Sequence, residues 1–147
     1  MSNKRMGHHD ASGRKLCPRC ATHKDQADFN PSKVNWDGLQ SYCRECSSWQ
    51  VMWTRHRLRR EQYEELLAGQ EGGCAICGIT QCESGNRFSI DHDHSCCPGE
   101  RSCGECIRGL LCSACNRMIS NARDSVETLK AGIAYLACRS SSPIAAK

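Results

Sequence analysis

The 147-residue chain predicts a small α+β fold stapled by metal, and three observations carry that prediction. Most of its 14 cysteines fall in pairs two residues apart: Cys17/Cys20, Cys43/Cys46, Cys74/Cys77, Cys103/Cys106 and Cys112/Cys115. Two such pairs supply the four thiolates of a tetrahedral zinc site, whereas a disulfide scaffold has no need of that regular spacing. Only 5% of the residues are aromatic, so the apolar core is too small to hold the fold without staples. Short strand-like stretches such as Arg87–Ile90 and Ile107–Leu111 also alternate with longer runs of helical spacing.

The N-terminal stretch MSNKRMGHHDASGRKL has basic residues but no apolar signal region, and no run approaches membrane-spanning length. Metal-bound rather than oxidised cysteines then imply a reducing, cytoplasmic compartment and no membrane partner. The formal charge of +4 treats cysteines as neutral. Each four-thiolate zinc site adds a net charge of about −2, so the overall balance says little about nucleic acid. Its distribution says more. Residues 1–60 hold 12 Lys/Arg against 5 Asp/Glu, and residues 61–147 hold 8 against 11, so a polyanion is expected to meet the first part.

Residues 1–15 read as a disordered polar tail, with His8 and His9 solvated rather than metal-bound. Residues 16–46 form a zinc-ribbon-like module, in which LCPRC and YCREC leave 22 residues between their cysteine pairs. Cys17, Cys20, Cys43 and Cys46 are its expected zinc ligands. Asp37-Gly38 marks a hairpin turn between short strands near 27–34 and 38–42. So few apolar residues lie here that metal binding must supply the folding free energy, about 10–16 kcal/mol in small zinc peptides.

Residues 47–69 predict one basic linking helix, with Trp49 and Trp53 a turn apart, Tyr63 and Leu66/Leu67 on a second face, and Gly69 as C-cap. Arg55, Arg57, Arg59 and Arg60 lie between those faces. They are read either as a solvated face paired with nearby glutamates or as contacts to nucleic-acid phosphates. Residues 70–139 form a second module, opened by CAICG, and residues 140–147 are again tail. Arg87–Ile90 delivers Asp91-His92 at a strand end, and Ile107–Leu111 is a second strand. Cys112–Asn116 then turns into a short helix. A last helix starts at Asp124, forms a capping box with Glu127, and buries Val126, Leu129, Ile133 and Leu136. Cys138 is expected to be buried on that helix.

Cys74, Cys77, Cys112 and Cys115 around one zinc would draw the second module into a compact loop and place Asn116 beside the metal. A strand with Asp-His, a second strand, then a helix with Asn next to a structural zinc resembles the ββα-metal, or His-Me finger, nucleases. More narrowly, CAICG, IDHDH and RGLLCSACN, in that order, resemble the recombination endonuclease VII family, from about Tyr63 to Cys138. The fold class expected is therefore a zinc-stabilised ββα-metal core of the HNH-like type, preceded by the ribbon and the helix.

That resemblance implies a metal-dependent DNA endonuclease from a bacterial cell or a phage-infected host. Asp91 and Asn116 would hold a Mg²⁺ or Mn²⁺ ion through hard oxygens. His92 would be the general base, and His94 an orienting or phosphate-contacting group. Arg108 is read as a phosphate contact or a salt-bridge partner. Outside the family, the Asp91–His94 run reads as a further zinc site and Asn116 as a helix cap. The rival function is a non-catalytic zinc protein that binds nucleic acid or a protein partner.

Two departures qualify the resemblance. SCCPGERSCGEC intervenes between the two strands, and its Cys96, Cys97, Cys103 and Cys106, or three of these with Cys82, predict a third zinc knuckle. Only 31 residues follow Asn116, whereas family members that resolve branched DNA carry a longer dimerisation region. Nicking or cutting of less structured duplex DNA is accordingly expected, with monomer and homodimer both open.

Overall fold

The computed structural model describes residues 9–82 and 87–138, so residues 1–8 of the tail expected at 1–15, with His8, and the tail expected at 140–147 lie outside the described residues. The chain forms two compact units, Met1–Tyr63 and Glu64–Lys147. In the first, β1 (Lys15–Cys17) pairs antiparallel with β2 (Thr22–Lys24). Ala21, at φ 52°, turns the chain back just after Cys20. A single 3-10 turn over Gln26–Asp28 leads into β3 (Phe29–Pro31), which pairs with β4 (Leu39–Cys43) through a register shift between Phe29 and Pro31.

Asp37-Gly38 makes the expected turn, with Gly38 at φ 73°. Asp37 Oδ1 accepts the Leu39 amide at 3.1 Å, while Oδ2 takes the Lys15 ammonium at 2.7 Å. Both side chains of that ion pair are buried. Ordered structure therefore reaches back into the stretch expected as tail, because Lys15 has a buried carboxylate to satisfy. Cys17, Phe29 and Cys43 form the core, with Leu39 and Cys46 packed against it.

The run expected as one helix is two, α1 (Arg44–His56) and α2 (Arg60–Gly69). Arg57 adopts φ 53° and its amide closes α1 on the Trp53 carbonyl. Leu58 turns inward and is buried. The Gln62 side chain then accepts the Arg59 amide at 2.9 Å, half of a capping box that starts α2. At its other end Gly69 is still helical. Glu71, at φ 56°, takes the left-handed position, with amide bonds from Gly72 to Leu67 and from Glu71 to Ala68. That pair of bonds is a Schellman ending one position later than a Gly69 cap would place it.

In the second unit β5 (Ser89–His92) and β6 (Ile107–Leu111) form an antiparallel pair, followed by α3 (Ser113–Asn121) and α4 (Val126–Ala137). α3 packs against both strands. Leu110 and Leu111 fill the interior with Phe88, Cys74, Cys112 and Cys115. Gln70 ties the segment after α2 to β6: its Nε2 donates to the Leu110 carbonyl at 2.9 Å and its Oε1 accepts the Leu110 amide at 2.8 Å.

α4 departs from expectation. Its N-cap is Ser125, which accepts the Thr128 amide, and not Asp124. Val126, Ile133 and Leu136 are exposed, and of the expected stripe only Leu129 is half-buried. A two-stranded sheet offers little area, and α3 with its cysteines already covers it. Cys138 is likewise exposed, at the end of the helix.

Candidate active site and metal clusters

β5 ends in a register shift between Asp91 and His92, where Asp91 lies opposite Gly109 and His92 opposite Ile107. A regular strand would send these neighbours to opposite faces. The irregularity lets both be buried, Asp91 at 9% and His92 at 4% exposure. Gly109 is small for a reason, since a Cβ there would stand 3.0 Å from Gln70 Oε1.

The four polar residues Asp91–His94 find four different partners. Arg108 grips Asp91 with two bonds, Nε to Oδ2 at 2.7 Å and Nη2 to Oδ1 at 3.1 Å. His92 donates from Nε2 to the Cys97 carbonyl at 3.2 Å. Asp93 accepts the Ser95 amide at 2.8 Å, folded into its own turn. His94 bonds through Nδ1 to Asp124 Oδ2 at 2.7 Å, and its ring lies 4.7 Å from that of His92.

Asp124 joins the ends of this network, because its Oδ1 accepts Arg108 Nη2 at 3.0 Å. The His94 hydrogen bond is the main reason its carboxyl titrates below the ordinary range; burial opposes the shift and Arg108 reinforces it. Arg108 is in turn held more firmly protonated, first by Asp91 and then, against burial, by Asp124. Arg123 and Asp124 both adopt left-handed φ, at 54° and 55°, a conformation costing about 1–2 kcal/mol per ordinary residue. The strained turn aims the Asp124 carboxylate at the site. Sequence gives no sign of this partnership, since Asp124 lies 30 positions from His94 and looks like a helix cap. Asp91, Arg108 and Asp124 line a hollow of about 290 Å³ with Leu111, Ile119 and Leu129.

Asn116 sits half-buried in the first turn of α3, next to Cys115. Cys74, Cys77, Cys112 and Cys115 bring their sulfurs within 4.8 Å of one another. Cys17, Cys20, Cys43 and Cys46 do the same, and so do Cys96, Cys97, Cys103 and Cys106. The last set is the four-cysteine choice for the third knuckle, while Cys82 stands outside it. Tetrahedral zinc with bonds of about 2.3 Å sets sulfurs about 3.8 Å apart. Cys77–Cys112 is 3.7 Å, Cys96–Cys97 3.9 Å and Cys96–Cys103 4.0 Å.

The thiols are electrically tuned for such an ion. Burial pushes Cys17 up, but amide hydrogen bonds from Cys43, Cys20 and Arg19 bring it down to about 6. Cys74 likewise falls to about 6 against its burial, through the amides of Cys77, Cys112 and Ile76. Cys46 is pushed up to about 12 by burial and by the neighbouring sulfurs. Thiolates crowded in this way need a cation before all four ionise. Three four-cysteine clusters fit structural zinc.

In the first unit Arg55, Arg57, Arg59 and Arg60 are all exposed. Arg57 and Arg59 lie over the Trp53 ring at 5.8 and 5.4 Å, and Arg60 over Trp49 at 5.5 Å while bonding Glu45 at 2.9 Å. Arg19, Trp49, Trp53, Arg59, Arg60 and Glu61 line a cleft of about 620 Å³. Among the second unit's residues Arg108, read as a phosphate contact or an ion-pair partner, is engaged with two carboxylates. Among the described residues no helix is long and apolar enough to cross a membrane.

No curated protein matches the chain. Among solved structures it is similar to the ββα-Me type II restriction endonuclease Hpy99I, at 21% identity and a TM-score of 0.36 over 84% of this chain. The match spans 64% of that enzyme's chain. The family model described as recombination endonuclease VII matches residues 47–138, a span that holds the Asp91-His92 strand end, Arg108, Asn116 and two of the cysteine clusters. By that match over more than half of its length, the chain belongs to the recombination endonuclease VII family.

Proposed function

We propose that the protein is a metal-dependent DNA endonuclease that hydrolyses phosphodiester bonds, nicking or cutting duplex DNA. The observation that supports this most is the buried, bulged Asp91-His92 strand end packed against α3, with four cysteine sulfurs beside Asn116. Asp91 and Asn116 offer a carboxylate and a carboxamide, the hard oxygen donors that suit Mg²⁺ or Mn²⁺ retaining most of its waters. Asp91 is also a buried carboxylate that already carries a cationic partner in Arg108. A bound divalent ion supplies charge stabilisation at the scissile phosphate and the leaving oxygen.

The side chains do the rest. His92, its Nε2 proton donated to a carbonyl, keeps the lone pair on Nδ1 and takes a proton from the attacking water there. Such a base contributes about 10²–10⁴-fold. His94, held by Asp124, contacts the phosphate or the leaving group. Arg108 neutralises charge between Asp91 and Asp124. Arg57 and Arg59, which lie over the Trp53 ring, contact the DNA backbone together with Arg55 and Arg60.

A second reading, a catalytically idle zinc protein that binds nucleic acid, draws on the fact that Arg108 occupies both oxygens of Asp91. Supercoiled plasmid with Mg²⁺ or Mn²⁺ separates the two. Nicked product from the wild type and at least a hundredfold less from His92→Ala supports the endonuclease. Equal product from both, or none from either, favours the idle protein.

A further inference from the structure

Trp49 and Trp53 stand one turn apart on α1, so both indoles lie on the same side of that helix. Trp49 is held edge-on by the buried Tyr63 ring, with centroids 5.6 Å apart, and Arg60 lies over it. Trp53 carries the guanidinium groups of Arg57 and Arg59. Arg19, from the turn after β1, bonds the Gln50 side chain and closes the cleft. At about 620 Å³ the cleft is about twice the hollow beside Asp91. It falls within the range of about 300–1,000 Å³ that small-ligand sites occupy.

Its chemistry narrows the occupant. Three arginines against one glutamate line it, so an anion is favoured and a cation repelled. A phosphate alone uses the arginines and leaves the indole faces idle. A duplex does the same, because its bases are already stacked on one another and paired. An unpaired nucleotide uses both, with its base on an aromatic ring or a guanidinium plane and its phosphate on an arginine edge. Glu61 adds an acceptor for the N–H groups of a free base edge, which pairing would occupy.

We propose that the cleft between α1 and the start of α2 seats an unpaired nucleotide of single-stranded DNA, its base stacked on Trp53 and its phosphates on Arg19 and Arg59. Arg57 and Arg59 are exposed, so a base can replace them on the ring while they turn to the phosphates. The choice of DNA as partner rests on the endonuclease reading. The stacking site itself does not.

The test uses the full zinc-loaded chain without Mg²⁺ or Mn²⁺, so that nothing is cut. Fluorescence anisotropy follows an oligodeoxythymidine of about eight nucleotides and a duplex of the same length. Trp53→Ala is expected to weaken binding of the single strand about 5–100-fold and of the duplex less than about twofold. Equal losses on both, or none on the single strand, overturn the proposal. So does an oligouridine that binds the wild type about tenfold more tightly, since the partner is then RNA.

Should Trp53→Ala fail to fold, photocrosslinking of the wild type to a bromodeoxyuridine oligonucleotide reads the same site. An adduct on Trp49 or Trp53 supports the proposal, and adducts confined to other residues overturn it. A protein that holds single strands through Trp53 yet nicks no plasmid sinks the endonuclease reading and supports this one. An active enzyme whose single-strand affinity ignores Trp53→Ala does the reverse.

Discussion

Arg108 reaches both oxygens of Asp91, with Nε to Oδ2 at 2.7 Å and Nη2 to Oδ1 at 3.1 Å, and so covers the carboxylate that a divalent cation would use. A guanidinium and a metal ion compete for the same negative charge. Arg108→Gln is expected to tighten Mn²⁺ binding by about tenfold, or ~1.4 kcal/mol. Titration calorimetry on zinc-loaded protein measures it. Affinity that stays level or weakens would mean that the arginine does not stand in the cation's way.

Asp124 holds His94 and Arg108 while the adjacent Ser125 caps α4, so two neighbours have separable jobs. Asp124→Asn removes the charge-assisted bonds and should lower kcat by about 10–100-fold. Ser125→Ala should instead cost stability, about 1 kcal/mol, with the rate near that of the wild type. Rates and urea midpoints for the two variants decide it; a matching loss of rate in both would reduce Asp124 to a scaffold role.

Lys15 and Asp37 form a buried pair at 2.7 Å, with side chains 6% and 7% exposed. Asp37→Asn strands a buried ammonium and is expected to destabilise the first unit by about 3 kcal/mol. Adding Lys15→Met should recover much of that loss. Tryptophan fluorescence during urea unfolding, with zinc saturating, follows the change. A single variant as stable as the wild type would show that the pair is solvated.

The third cluster makes a chemical prediction. Amide hydrogen bonds from Glu105 and Cys106 bring Cys103 down to about 7, whereas the sulfurs of Cys97, Cys103 and Cys106 push Cys96 up to about 12. The thiolate is the reactive form. Once zinc is removed, iodoacetamide should therefore label Cys103 first, at a rate that climbs as pH rises through about 7 and then levels. Cys96 should lag across that range. Peptide mass mapping of a pH series reads the order, and equal labelling of the two at pH 7 would contradict it.

Spacing made the cysteine clusters legible, because a tetrahedral ion demands four sulfurs whatever the rest of the chain does. The Asp-His strand end was legible too, as was the hairpin at Asp37-Gly38. What escaped depends on contacts between distant positions. Nothing local says that Asp124 leaves a helix start to join Arg108 and His94, or that Gln70 satisfies the backbone of Leu110. The break at Arg57 was hidden for the opposite reason. Its neighbours are good helix formers, and burying Leu58 outweighs their preference.

Phe29 is enclosed largely by Cys17 and Cys43, so the interior of the first unit and its clamp are one object. On the endonuclease reading, EDTA would then arrest this protein by two routes at once, withdrawing the proposed hard cation from oxygen and dissolving the sulfur-bound scaffold. Exchanging Mg²⁺ for Ca²⁺, an oxygen-seeking ion that thiolates ignore, stops only the first.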